Sequence, residues 1–192
     1  NRTFAPSSLI FYLGIKEKIT NLTHHTLFFE NDLDDHIDCI YGEKKWPEKP
    51  LFYACCPSKT DASTAPENCE NLFLLMPVAT GINDDESIRE HYLKEMLGRI
   101  EKHTGSSNLY EKIDYKKSYC VSDFIEDYNA YGGNAYGLAN TLSQTAVLKP
   151  KIRNKKVHNL FYTGQLTIPG PGVPPAIISG KIAAKEVNKL KI

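Results

Sequence analysis

The chain has 192 residues, 41% of them hydrophobic, which is enough for one sizeable core or one core and part of another. Lys+Arg and Asp+Glu balance at 23 each, and no basic stripe interleaves with aromatics, so composition argues against nucleic acid as a partner. The longest apolar runs, from Leu9 and from Leu72, fall far short of the roughly 18 to 20 residues that cross a bilayer as a helix.

The first predicted elements are strands at residues 8–15 ("SLIFYLGI") and 26–29 ("TLFF"), the first expected to be buried on both faces. Residues 31–42 predict a short capped helix with Leu33, Ile37, Ile40 and Tyr41 on its apolar face and Gly42 as its stop. The strands "LFYACC" and "NLFLLMPVA" flank a polar loop carrying Pro57 and Pro66, and are expected to pair antiparallel. The clearest helix follows, where Ile88, Tyr92, Met96, Leu97 and Ile100 recur at three- and four-residue steps between an Asp84 or Asp85 cap and Gly105.

Next, residues 115–121 ("YKKSYCV") predict a strand. The Gly-, Asn- and Tyr-rich stretch after it, residues 122–150, is expected to be irregular, with a helical turn or two near Leu138 to Ala146. A last strand, "HNLFYTG", leads through a Gly/Pro turn into a terminal helix from about Pro174 to Asn188.

Five cysteines, Cys39, Cys55, Cys56, Cys69 and Cys120, are odd in number and unevenly spaced, which fits reduced thiols in a cytoplasmic protein. No Cys-x-x-Cys occurs. His24 and His25, adjacent in a strand, are expected to point to opposite faces, so no metal site is predicted. Asp123, Glu126 and Asp127 read as solvated or turn-capping carboxylates rather than acid/base groups.

The Gly/Pro turn is the segment that suggests chemistry. Gly164, Gly170 and Gly172 permit unusual backbone or close approach, and Pro171, Pro174 and Pro175 carry no N–H. The expected free donors at the helix start are therefore the amides of Gly172, Val173, Ala176 and Ile177. A P-loop signature is missing, so a flat group that becomes negative suits this mouth better than a phosphate. A reduced flavin, with charge near N1 and the C2 carbonyl, is such a group.

Residues 122–187, with Gly-x-Ala-Tyr-Gly-Leu, Gln144, Asn-Leu-Phe-Tyr-x-Gly and Pro-Gly-x-Gly-x-Pro, closely resemble the C-terminus of bacterial phytoene desaturases, the flavin-dependent carotenoid desaturase family; "HHTLFFEND" resembles a segment of their substrate domain. The resemblance implies an α+β chain: residues 1–130 as part of a mixed or antiparallel-sheet substrate domain, and 131–192 supplying the last strand and helix of a Rossmann-like FAD domain. It implies a C-terminal fragment, inactive alone, of an enzyme that uses FAD to remove hydrogen from a phytoene-like polyene. The dinucleotide fingerprint, and with it most of the FAD contact, is expected in a preceding part.

Carried over by position, Gly164 and Gln165 would lie along the ribityl chain, with Gly170, Gly172, Val173, Pro174 and Ala176 against the pyrimidine edge. Phe124, Tyr128, Tyr131 and Tyr136 would wall the substrate tunnel, although core packing is the commoner role for such residues. A lipid-borne substrate implies peripheral contact with the cytoplasmic membrane. Two rival readings stand beside this one: a flavin-dependent carotenoid cis-trans isomerase, and a non-catalytic polyene-binding module.

Overall fold

The structure is a computed structural model that describes residues 2–190. It folds as two compact units, one running from Ser7 to Gly133 and the other made of the residues up to Pro6 together with those from Asn134 onward.

The first unit is built on one five-stranded antiparallel sheet: β1 (Ser7–Ile15), β2 (His25–Phe28), β3 (Phe52–Cys55), β4 (Glu70–Val78) and β5 (Ile113–Tyr119), in the order β2-β3-β4-β1-β5. β3 and β4 pair antiparallel as their flanking loop predicts. β1, at the inner position beside β4 and β5, alternates: Leu9, Phe11, Leu13 and Ile15 are buried, whereas Tyr12 is exposed. The expectation of burial on both faces is therefore corrected. A strand flanked by antiparallel partners needs cover only on the side where a helix packs.

That cover includes α2 (Glu86–Thr104), whose Leu93, Met96, Leu97 and Ile100 are fully buried in one cluster with Leu9, Phe11, Leu72, Leu74 and Met76. Asp85 caps its start by accepting the Ile88 N–H at 2.9 Å. Gly105, at φ 77°, ends it by donating to Glu101 O, the left-handed turn that glycine adopts without a Cβ penalty.

α1 (Leu33–Tyr41) turns a different face inward from the one expected. His36, Cys39 and Ile40 are buried, while Leu33, Ile37 and Tyr41 are exposed. The cause is His36, which sits between two backbone groups: its Nε2 lies 2.8 Å from Pro77 O and its Nδ1 accepts the Leu51 N–H at 2.9 Å. Two hydrogen bonds from one imidazole fix the rotation of a nine-residue helix more tightly than its apolar stripe does.

The stretch expected to be irregular opens with a helix, α3 (Val121–Tyr128), which also stops β5 at Tyr119. Asp123 Oδ2 accepts the Cys120 N–H at 2.7 Å, and Asn129, at φ 50°, closes the helix in the left-handed region. Both signals stand in the sequence, a carboxylate three residues past the cap and an Asn stop, but the surrounding glycines and tyrosines obscure them. Arg89 ties α3 to α2, bonding Ser118 Oγ at 3.1 Å, Ser122 Oγ at 2.8 Å and Asp123 Oδ2 at 2.7 Å, as well as Asp84.

In the second unit no helical turn forms at Leu138; instead Leu138 bridges Phe4, and the Ala5 N–H donates to Gly137 O at 2.9 Å. A single 3-10 turn follows at Ala146–Leu148. Gln144, buried, holds this arrangement: its side-chain oxygen accepts the Thr3 N–H at 2.9 Å and its Nε2 donates to Thr3 O and Ala139 O. Backbone of that kind satisfies itself with a side-chain amide where a helix would use its own ladder.

The expected strand 158–164 reduces to one bridge, Arg153 to Phe161, because a strand needs a partner and, among the described residues, only the short return from Arg153 supplies one. The terminal helix, α4 (Val173–Asn188), begins one residue earlier than expected, with Pro174 at its second position. Asn1 and the last two residues of the expected 131–192 segment lie outside the described residues.

Candidate functional site

Two surfaces carry the candidate residues, one in each unit. In the second unit the Gly/Pro turn is anchored by side chains that pattern reading left without a role. Ser179 of α4, fully buried, accepts the Gly164 N–H at 2.8 Å, lies 2.8 Å from Thr163 Oγ1 and donates to Ala176 O at 2.6 Å. Thr167, also buried, donates its N–H and hydroxyl to Gly164 O at 3.1 and 2.9 Å. Gly164, Gly170 and Gly172 have φ of 103°, 136° and 110°, and the Ile168–Pro169 peptide is cis.

The mouth of α4 is narrower in donors than expected. The Ala176 N–H is spent on Gly172 O at 2.9 Å, the first bond of the helix, which corrects its expected role as a free donor. With two prolines following, the amides of Gly172 and Val173 are the ones that the mouth presents. Around them Val173 and Ile177 are 75% and 69% exposed, so the mouth is a small polar edge in an apolar surround. Gln165 is half-buried; its carbonyl and the Leu166 side chain sit 3.3 and 3.2 Å from where a Cβ on Gly137 would stand.

Beside Gly170 lies a residue that no motif singled out. Lys149 is 95% buried, since its exposure is 5%, and among the described residues its Nζ has no hydrogen-bond partner. A Cβ placed on Gly170 would meet Lys149 Cε at 3.2 Å and Nζ at 3.4 Å. An orphaned ammonium, a glycine that makes room for it and a helix start with two presented amides form a set that fits an acceptor edge such as the N1 and C2 carbonyl of a flavin.

In the first unit the sheet face turned away from α2 carries an apolar row, exposed at Leu27 and half-buried at Tyr53, Leu75, Ile10 and Tyr119. Its register aligns Leu27 with Tyr53, Tyr53 with Leu75, Leu75 with Ile10 and Ile10 with Tyr119, one residue from each of the five strands. At about 4.8 Å per strand, this apolar row is roughly 19 Å long. The next row adds Phe73 and Tyr12, whose rings lie 5.4 Å apart. A groove of about 210 Å³ opens along the row between β2 and α1, rimmed by Leu27, Phe29 and Ile37. A wider hollow of about 660 Å³ lies at the other end, where Tyr12, Tyr115 and Tyr128 meet.

Of the expected tunnel residues, Phe124 and Tyr128 stand at that second end, with ring centroids 4.8 and 6.5 Å from Tyr119. Burial, and a hydrogen bond to Asp127 at 2.7 Å, push the Tyr119 phenol well above its ordinary range, so it stays neutral. Tyr131 is 75% exposed on a short turn, and Tyr136 belongs to the second unit. Within the first unit, Phe124 and Tyr128 are the two brought against Tyr119. The residues missed, Ile10, Leu27, Tyr53 and Leu75, were signalled by apolar and aromatic side chains on the second face of each strand.

Asp123 caps α3, in keeping with its reading as a capping carboxylate, whereas Asp127 accepts from the Tyr119 hydroxyl, a role the sequence did not indicate. All five cysteines are free; burial pushes Cys120 up to about 12 and Cys56 up to about 11. His24 and His25 do not diverge. His24 precedes β2, so strand alternation does not apply, and the rings stack at 4.1 Å. Their donor atoms and that of Cys55 lie within 4.8 Å of one another, with the His25 Nδ1 2.6 Å from Tyr53 OH and the His24 Nδ1 2.6 Å from Thr60 Oγ1.

Residues 14–188 match the model of the flavin containing amine oxidoreductases, and the chain belongs to that family. Among curated proteins it is similar to a carotenoid 3,4-desaturase of Haloarcula japonica, 45% identical over 96% of this chain and 37% of that protein. It is also similar, at 30% identity in each case, to a zeta-carotene-forming phytoene desaturase of Myxococcus xanthus and a lycopene-forming phytoene desaturase of Pantoea ananas. These alignments cover 96% and 93% of this chain, and 36% and 37% of those proteins. The chain therefore spans little more than a third of the length of the curated relatives it matches.

Proposed function

We propose that this chain is part of an FAD-dependent desaturase that removes hydrogen from a long polyene of the carotenoid class and extends its conjugation. The observation that carries the substrate reading is the apolar row across all five strands, in a chain of a flavin-containing family. A polyene offers no charge and few polar atoms, so it is held by apolar contact along its length, and a row about 19 Å long offers that. The names of the relatives support the same substrate class.

On this reading residues 1–130 contribute the substrate-facing sheet. Residues 131–192 complete an FAD domain of Rossmann-like type, the segment 158–164 finding its strand partners in the part of the protein that precedes this chain. The bound flavin accepts a hydride from the substrate. What this chain adds is position: Gly164 and Gln165 beside the ribityl chain, and Gly170, Gly172, Val173, Pro174 and Ala176 facing the pyrimidine edge, with Gly172 and Val173 offering N–H groups. The lipid-borne substrate is drawn from the cytoplasmic face of a membrane. The exposed Leu27, Phe29, Leu33 and Ile37 form the contact, and among the described residues no helix is long and apolar enough to cross it.

The test is expression of the full-length protein in a host that accumulates a shorter-chromophore carotenoid precursor. A red-shifted pigment spectrum is expected, from a purified protein that is yellow with bound flavin. A soluble, flavin-loaded protein that leaves every precursor's spectrum unshifted would falsify the desaturase reading.

A further inference from the structure

We propose that Lys149 is the cationic partner of the flavin's pyrimidine edge, acting with the amides at the mouth of α4 to hold the negative charge that reduction places there. This rests on the flavin reading above and adds a residue to it. The argument begins with cost. Burying an ammonium without an acceptor is among the most expensive arrangements a fold can contain, and Lys149 is 95% buried with no acceptor for its Nζ among the described residues. The site is also shaped around it. Gly170, at φ 136°, leaves the lysine stem the space that any Cβ would take, at 3.2 Å from Cε and 3.4 Å from Nζ.

The choice of the ring edge over the pyrophosphate follows from what surrounds the ammonium. A phosphate cradle offers several successive N–H groups and a hydroxyl. Here Pro171, Pro174 and Pro175 interrupt the amides, and the side chains next to the two that remain are apolar. Such a mouth suits a flat ring with one polar edge. The lysine's full charge and the helix's partial charge then favour the same oxidation state of that ring.

Lys149 touches the cofactor directly in this scheme, and its readout is a potential rather than a rate. In the flavin-loaded full-length protein, Lys149→Met is expected to lower the two-electron midpoint potential by at least tenfold in the redox equilibrium, about 30 mV. Lys149→Arg, which keeps the charge, is expected to retain most of the wild-type value. Lys151→Met, two positions along and exposed, should leave it unchanged.

If Lys149→Met binds FAD too weakly to be purified loaded, the ratio of its dissociation constants for reduced and oxidised FAD reads the same quantity. A ratio or potential equal to the wild type's overturns the proposal, including the case in which both affinities fall together, as loss of a pyrophosphate contact would produce. A wild-type protein that takes up no flavin overturns the cofactor reading itself.

Discussion

Ser179→Ala tests whether the Gly/Pro turn is held to α4 by a single buried hydroxyl. The wild-type Oγ accepts the Gly164 N–H at 2.8 Å and donates to Ala176 O at 2.6 Å. The Ala176 carbonyl lies inside α4 and keeps its place in the helical ladder, and the hydroxyl of the exposed Thr163 can turn to water. The Gly164 N–H, on a half-buried residue, loses the acceptor it has, and a donor left unpaired in this way costs about 1–3 kcal/mol. Alanine's better helix propensity returns at most about 0.7 kcal/mol. With that return taken in full the net loss is about 0.3–2.3 kcal/mol, a factor of roughly 2 to 50 in the equilibrium between closed and open turn. Native-state hydrogen exchange of the full-length protein, read on a peptide containing Gly164, should show protection falling by that factor. Thr163→Val serves as the control and should move it by less than twofold. Equal protection in Ser179→Ala and wild type would refute the reasoning, because it would mean the turn is held by other contacts.

Two further outcomes follow from the first unit. Replacing Leu27 and Phe29, 63% and 53% exposed, by Asp should leave thermal stability nearly unchanged, since exposed substitutions usually shift it by less than about 0.5 kcal/mol. The same pair should abolish co-sedimentation of the full-length protein with anionic lipid vesicles, and undiminished sedimentation would remove this rim from the membrane-contact reading. The pH dependence of stability should show two separate losses. Burial lowers the pKa of His36 below its ordinary 6.5, with the bond to Pro77 O opposing, so its contribution is complete above 6.5 and fades as pH falls through the lowered value. The charged ring would need a proton on Nδ1, where the Leu51 N–H is now accepted. Burial also opposes ionisation of Glu70, but its bonds to Lys59 and Ser58 outweigh it and hold the carboxyl below its ordinary 4.5, so its contribution is lost at more acid pH. Urea midpoints measured from about pH 7 to pH 3 should lose the upper step in His36→Gln and the lower step in Glu70→Gln; wild-type slopes in both variants would contradict the assignment.

Periodicity and capping residues, which act over a few positions, determined α2 between Asp85 and Gly105, the antiparallel β3–β4 pair and the helix that follows the Gly/Pro turn. Those are local choices of backbone, and the residues making them are neighbours in the chain. The motifs from Tyr131 onward likewise sufficed for the family resemblance, because they lie on one continuous stretch. Tertiary structure alone decided the rest. The apolar row depends on the registers of four strand pairs at once, and a slip of one residue in any of them would turn its side chain to the other face. The rotation of α1 was set by Pro77 and Leu51, both far from His36 in sequence. Lys149 stands in an unremarkable "LKP" and gains its meaning from Gly170, because burial of a charge is a property of what the rest of the chain packs around it.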